Sequence, residues 1–230
     1  MEPGVLIVPK LQPELIIFDL DGTLVDTIVD IASSVNYVLS QFGLPNHEIS
    51  DYKQMVGNGF RVLVQRVLSP EKSNDDIFFD KILRLSMQRY EEHALDRTRP
   101  FPGTVETLES LYRNEIKLAV LSNKPDHLSK KIIESLFASV KFVAVWGDNK
   151  DRARKPDPSA TLELCRNARV DPQKSLFVGD SAVDIQTAKA ARIAAVGAVY
   201  GYRSREELEL AGADYLITSP PELLSIVEFK

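Results

Sequence analysis

The 230-residue sequence contains a single cysteine, Cys165. An intramolecular disulfide is therefore excluded, and with no activating neighbour the thiol reads as core filler rather than nucleophile. Histidine is nearly as scarce. His47, His93 and His127 share no metal-ligand spacing and read as surface or structural residues. No apolar run approaches the roughly 18 residues of a membrane span, so no membrane partner is expected. Basic excess is missing too: the net charge is −5, which gives no footprint for nucleic acid. Internal repeats, low-complexity tracts, a Walker lysine loop and a serine nucleophile elbow are all absent. Residues 1–12 carry Glu2 and Pro3 ahead of the apolar Val5–Val8, with Lys10 after it. That is a poor signal peptide, and cytoplasmic residence is the expectation.

What is present begins with Leu15-Ile16-Ile17-Phe18-Asp19-Leu20-Asp21-Gly22-Thr23-Leu24-Val25-Asp26. A short apolar run reads as a buried strand and ends in two carboxylates one residue apart. Open α/β sheets place their chemistry at such carboxyl ends. Residues two apart on a strand share a face, so Asp19 and Asp21 hold two negative charges close together. Such a pair is costly unless a cation, a proton or catalysis accounts for it.

Hydrophobic residues at 44% and charged residues at 27% suit one globular domain, or a core with an insert. After the first strand, Ile28, Ile31, Val35, Val38, Leu39 and Phe42 recur at helical spacing. Thr27-x-x-Asp30 can form a capping box for that helix, and Gly43 suits its end. Phe60, Val64, Val67 and Leu68 mark a second helix, and Ile77 to about His93 a third. No strand is evident between residues 27 and 98. Arg99-Pro100-Phe101-Pro102-Gly103 reads as a linker. Beyond it strands are expected at Lys117–Leu121, Phe142–Trp146, Ser175–Val178, Ala194–Val199 and Tyr215–Thr218. Helices alternate with them at Thr104–Tyr112, Pro125–Phe137, Pro158–Ala168, Ala182–Ala191, Arg205–Leu210 and Pro221–Val227. This alternation indicates an α/β fold, a doubly wound parallel sheet with helices on both faces. An all-helical insert follows the first strand. The expected domains are a core of residues 1–24 and 100–230 and a helical cap of residues 25–99.

Polar clusters follow four of the strands: Asp19 and Asp21, then Ser122-Asn123-Lys124-Pro125, then the loop with Lys155-Pro156-Asp157-Pro158, then Gly179-Asp180-Ser181-Ala182-Val183-Asp184. Each has a plain reading. Asp-x-Asp-Gly is often a turn, Ser122 before Pro125 can start a helix, and Ser181-x-x-Asp184 matches a capping box. Their occurrence together, at successive strand ends along one sheet edge, points instead to a site. The set offers carboxylates for a divalent cation, a hydroxyl and an amide for oxygens, and a lysine for negative charge. Trp146, just before Gly147, reads as core packing rather than a stacking platform.

In this order the clusters resemble the four motifs of the haloacid dehalogenase superfamily of phosphotransferases, over nearly the whole chain. Within it the sequence is similar to phosphoglycolate phosphatase-type members. Val56-Gly57-Asn58-Gly59-Phe60, Tyr200-Gly201-Tyr202 and Ala211-Gly212-Ala213-Asp214-Tyr215 add to that likeness. The resemblance implies Asp19 as nucleophile, forming an aspartyl-phosphate, and Asp21 as general acid and base. It implies Mg²⁺ held by the Asp19 and Asp180 carboxylates and the Asp21 carbonyl, with Asp184 as a direct or indirect partner. Ser122, Asn123 and Lys155 would hold phosphate oxygens, and Gly22 and Thr23 would offer backbone N–H groups. Asp21 argues against dehalogenase- and phosphonatase-type members, which lack an acid there. The absence of histidine from Val25 to Ala32 disfavours a sugar-phosphate mutase. Specificity is expected in the cap around Gly57, Asn58, Gly59 and Arg61. Arg61 would meet a substrate carboxylate or stand exposed on its helix, and Lys53 reads as a solvated surface residue. The implied activity is a Mg²⁺-dependent phosphatase acting on a small phosphorylated substrate, with phosphoglycolate leading. Another small phosphate, such as a sugar phosphate, a nucleotide or pyrophosphate, or a regulatory protein on the same fold, stays open. The chain is expected as a monomer or homodimer.

Overall fold

The computed structural model describes residues 10–229. Of residues 1–12, read as a poor signal peptide, residues 1–9 lie outside that range. In chain order the elements are β1 (Leu15–Phe18), β2 (Val25–Asp26), α1 (Ile28–Gln41), α2 (Ile49–Met55), α3 (Phe60–Val67), α4 (Pro70–Ser73) and α5 (Asp76–His93). There follow β3 (Arg99–Pro100), α6 (Thr104–Arg113), β4 (Lys117–Pro125), α7 (Asp126–Leu136), β5 (Ala144–Asp148) and α8 (Ser159–Ala168). The chain ends with β6 (Ser175–Gly179), α9 (Ala182–Ala191), β7 (Ala194–Ala198), α10 (Arg205–Leu210), β8 (Tyr215–Ile217) and α11 (Leu223–Ile226).

Six strands form a parallel sheet in the order β5-β4-β1-β6-β7-β8. Buried on both faces, β1 reads as a continuous apolar run rather than an alternating one. Its period of two still divides the core. Ile16 and Phe18 pack with Leu118, Val120 and Val178 under α6 and α7. Leu15 and Ile17 pack with Ala119, Leu121 and Phe177 under α8 and α9. The order reverses direction at β1, where successive connections leave to opposite sides. Doubly wound sheets open their ligand crevice at such a point. Phe18 pairs with Val120 on one side and Val178 on the other. That register brings Asp19, Ser122 and Asp180 to one edge.

Helices α1–α5 have a core of their own, in which Ile31, Val35, Leu39, Leu63, Ile82 and Tyr90 are buried. The chain leaves the sheet along β2 and returns along β3, and the two pair antiparallel, Val25 with Pro100 and Asp26 with Arg99. The expected linker at Arg99–Pro100 is thus one strand of a ribbon. No helix among the described residues is long and apolar enough to cross a membrane.

Several local expectations are corrected. The Thr27–Asp30 capping box does not form, because each side chain has another partner. Thr27 Oγ1 donates to Asp21 at 2.7 Å. Asp30, buried, accepts from the backbone N–H groups of Arg97 (3.0 Å) and Thr98 (2.8 Å) and from the Thr98 hydroxyl (2.8 Å). β4 continues through Ser122 to Pro125 instead of stopping at Leu121, since β5 still pairs with it at Pro125. Strand β5 starts two residues later than expected. Helices α2 and α4 carry too little apolar periodicity to be seen: α2 buries only Tyr52 and α4 buries nothing. Trp146 packs partly on the core, and Arg152 stacks over its ring at 4.5 Å.

Asp30 locks the returning chain to α1, so Asp30→Ala should cost about 2–4 kcal/mol by stranding buried donors. Asp30→Asn, which keeps one acceptor, should cost less. Urea unfolding measures both; a loss below about 0.5 kcal/mol for the alanine variant would refute the role, being the size of an ordinary surface change.

Candidate active site

Asp19 follows β1 and extends its register, its N–H donating to Val178 O at 2.9 Å. Its carboxylate Oδ1 lies 2.7 Å from Lys155 Nζ. Apart from this ion pair, the buried oxygen has no hydrogen-bond partner among the described residues. Lys155 Nζ also donates to Asp184 Oδ1 at 2.7 Å. The other oxygen, Asp184 Oδ2, accepts from Ser181 N–H at 3.0 Å and Ser181 Oγ at 2.6 Å. That is the capping box of α9, so the plain reading and the site share one residue. Asp180 accepts from Tyr202 N–H at 2.8 Å and, at 3.4 Å, from Thr23 Oγ1.

Oxygens of Asp19, Asp180 and Asp184 lie within 4.8 Å of one another, all buried. One cation, Lys155, faces three carboxylates. Burial pushes Asp19 up to about 7; Lys155 opposes the shift, while Asp184 and Asp21 add to it. Burial, then Asp184 and Asp19, hold Asp180 well above the usual carboxylate range. For Lys155, burial pulls downward, but Asp184 and Asp19 outweigh it and keep the ammonium charged. In their ionised forms the three carboxylates therefore carry more negative charge than the one lysine balances. Hard oxygen donors with surplus charge and one oxygen lacking a hydrogen bond suit a divalent cation. Gly22 makes room for this packing: at φ +85°, a Cβ there would sit 2.3 Å from Asp180 Oδ2.

Asp21 is held separately. Its carboxylate accepts from Lys124 Nζ at 2.9 and 3.2 Å and from Thr27 Oγ1 at 2.7 Å. The same Lys124 Nζ donates to the Tyr90 hydroxyl on α5. Tyr202 OH accepts from Thr27 N–H at 2.8 Å and donates to Asp26 at 3.1 Å. Above Asp19 and Asp21, a cavity partly open to solvent lies between the strand ends and the helical block. Ser122, Gly57, Gly59, Phe60 and Tyr90 are among its lining residues.

The sequence pattern of the haloacid dehalogenase-like hydrolases matches residues 16–198, four-fifths of the chain. The chain belongs to this family. Among its relatives, phosphoglycolate phosphatase 1 of Pseudomonas aeruginosa is 38% identical over 194 residues, spanning 83% of this chain and 71% of that protein. Phosphoglycolate phosphatase of Pseudomonas putida is 36% identical over 220 residues, spanning 94% of this chain and 80% of that one. A crystal structure described as a predicted phosphoglycolate phosphatase from Haemophilus somnus 129pt superposes with a TM-score of 0.87. It is 33% identical, over 94% of this chain and 98% of that one.

Within this hydrolase, Asp19, Asp21, Asp180, Asp184, Ser122 and Lys155 converge at the strand ends, while several of the other expected site residues are engaged by partners within the protein. Asn123 is not free to hold an oxygen of a ligand. Its Nδ2 donates to Gly57 O (3.0 Å) and Lys155 O (3.1 Å), and its Oδ1 accepts from Lys155 N–H (3.0 Å). It staples the lysine loop and the helical block to β4. The N–H groups of Gly22 and Thr23 are likewise engaged, with Val25 O (2.9 Å) and Leu20 O (3.3 Å), in a tight turn. Gly57 and Gly59 border the cavity, whereas Asn58 accepts from Arg66 at 2.9 Å. Arg61 points elsewhere: it is exposed, 3.2 Å from Asp80 and stacked over Phe79. Missed from the sequence were Lys53, Tyr90, Lys124, Tyr202 and Arg203, which all line the cavity. Lys124 and Tyr202 stand inside segments already singled out; Tyr90 and Lys53 carry no local signal.

Proposed function

We propose that this haloacid dehalogenase-like hydrolase removes phosphate from a small phosphate monoester through an aspartyl-phosphate, with phosphoglycolate the leading substrate. The observation that carries the reading is Asp19, buried beside Asp180 and Asp184 at the sheet's switch point and open to the cavity, with Asp21 anchored beside it. An Asp19 oxygen forms a bond to phosphorus as the P–O ester bond breaks, and Asp21 gives its proton to the departing oxygen. Asp21 then takes a proton from water as that water displaces phosphate from Asp19. Lys124 and Thr27 orient Asp21 for both transfers, and Lys155 keeps Asp19 and Asp184 in place. Ser122 Oγ is available at the cavity wall for a phosphoryl oxygen.

Mg²⁺ suits the site; the Asp19, Asp180 and Asp184 carboxylates would hold it, with the Asp21 carbonyl as the further ligand implied by resemblance. Bound there, it would offset repulsion between Asp19 and the phosphate and polarise the transferring group. In this reading residues 1–24 and 100–230 are the catalytic core and residues 25–99 a cap over it. The cap's Tyr90 and its Gly57–Phe60 loop would exclude water during transfer, and opening would release product. The relatives named as phosphoglycolate phosphatases support the substrate.

A panel of small phosphate esters ranked by kcat/KM tests this reading. Turnover is expected with Mg²⁺ and should vanish in excess chelator, with phosphoglycolate heading the ranking. Full activity in chelator would sink the mechanism.

A further inference from the structure

Four cations surround the site, and three of them are matched. Lys155 lies 2.7 Å from both Asp19 and Asp184. Lys124 is paired with Asp21 at 2.9 Å. Arg203 donates to the carbonyls of Lys53, Gln54 and Val56 at the end of α2, and lies 3.6 Å from Glu207. The fourth is Lys53. It lines the cavity together with Asp19, Asp21 and Ser122, it is half-buried, and no ion pair among the described residues involves it.

The position of Lys53 is nevertheless fixed. Its own carbonyl is gripped by Arg203. Four residues on, the Gly57 carbonyl accepts from Asn123 at 3.0 Å. Both bonds run from the sheet side to the helical block, so the stem of Lys53 is anchored over the strand ends. Apolar walls of Ile31, Val56, Phe60 and Leu63 stand beside it. A partly desolvated ammonium without a counter-ion is electrostatically costly until an anion arrives. The phosphate undergoing transfer must approach Asp19, which already has Lys155 at its side. Lys53, on α2, borders the cavity from the helical block.

We infer that Lys53 binds a second anionic group of the substrate, so that the enzyme selects small phosphate monoesters bearing a carboxylate or another phosphate. This rests on the phosphatase reading and narrows its substrate class.

Three esters test it: phosphoglycolate, ethylene glycol bisphosphate, and ethyl phosphate, which resembles phosphoglycolate in size but lacks the second charge. Loss of a charge-assisted contact in Lys53→Met should lower the preference for a doubly anionic ester over ethyl phosphate roughly tenfold or more. The change should fall mainly on KM, and Lys53→Arg should restore most of it. A fall for phosphoglycolate assigns the carboxylate as the group bound; a fall for the bisphosphate alone assigns a second phosphate. Equal losses on all three esters would place Lys53 on the transferred phosphate and overturn the inference. So would an unchanged preference, the behaviour of a solvated surface lysine. Calorimetric titration of the three esters into Asp19→Asn, with and without Lys53→Met, reads the same preference without turnover. The inference is therefore decided even if the wild type hydrolyses none of them, an outcome that would refute the phosphatase reading alone.

Discussion

Asp19→Asn should reduce phosphate ester hydrolysis by about 10⁴-fold or more, the scale on which loss of a nucleophile is felt. The substitution keeps the side chain's shape and its place between Val178 and Lys155 but removes the oxygen that bonds phosphorus. It also takes one negative charge from a cluster where burial and Asp184 already push Asp19 up to about 7. The metal-free variant should therefore unfold at a higher temperature than the wild type while being inactive. Steady-state kinetics and thermal unfolding in chelator check the two halves independently. An active Asp19→Asn would eliminate the covalent route; an inactive but destabilised one would mean that the cluster tolerates its charge better than its burial implies.

The second large effect is expected at Lys155. This lysine is the sole cation touching the three-carboxylate cluster among the described residues, and its side chain is 2% exposed. Lys155→Met leaves Asp19 and Asp184 buried without their partner, which typically costs about 3–5 kcal/mol. Activity should fall about 10²–10³-fold, as when a preorganised electrostatic group is lost. A bound cation offsets the same charge, so Mg²⁺ should raise the unfolding temperature of the variant more than that of the wild type. Equal Mg²⁺ shifts in the two proteins would show that lysine and metal do not share a common charge problem.

The residues that converge at the sheet edge were legible because strand ends are marked locally. An apolar run stops at Asp19, another reaches Ser122, and a third gives way to Gly179-Asp180. Parallel register then does the rest, and it needs no knowledge of side-chain direction. What escaped was direction. Asn123 and Lys155 stood in the right places, yet their hydrogen bonds point into the protein, to a loop 32 residues away and to neighbouring carboxylates. Of the two readings open for Arg61, the exposed one is what the structure shows, while Lys53, read as a surface residue, borders the cavity. Both are basic residues on helices of the block; the packing of α3 on α5 turns Arg61 toward Asp80, and Lys53 stands on α2 at the cavity. Short elements such as α2 and α4 also lacked signal, since a helix with one buried residue or none shows no period.

The ribbon formed by β2 and β3 has a further consequence. Its two strands bring Val25 beside Pro100 and Asp26 beside Arg99. Seen from the sheet, the 72 residues from Thr27 to Thr98 begin and end at neighbouring points, as the tip of a hairpin does. The entropy of closing such an excursion grows only with the logarithm of its length. Strand order in the sheet is therefore indifferent to what is carried there. The excursion could be lengthened, shortened or exchanged while the carboxylates at the strand ends stay where they are. In that sense the ribbon is a socket, separating the strand ends that carry the carboxylates from the helical block joined to them.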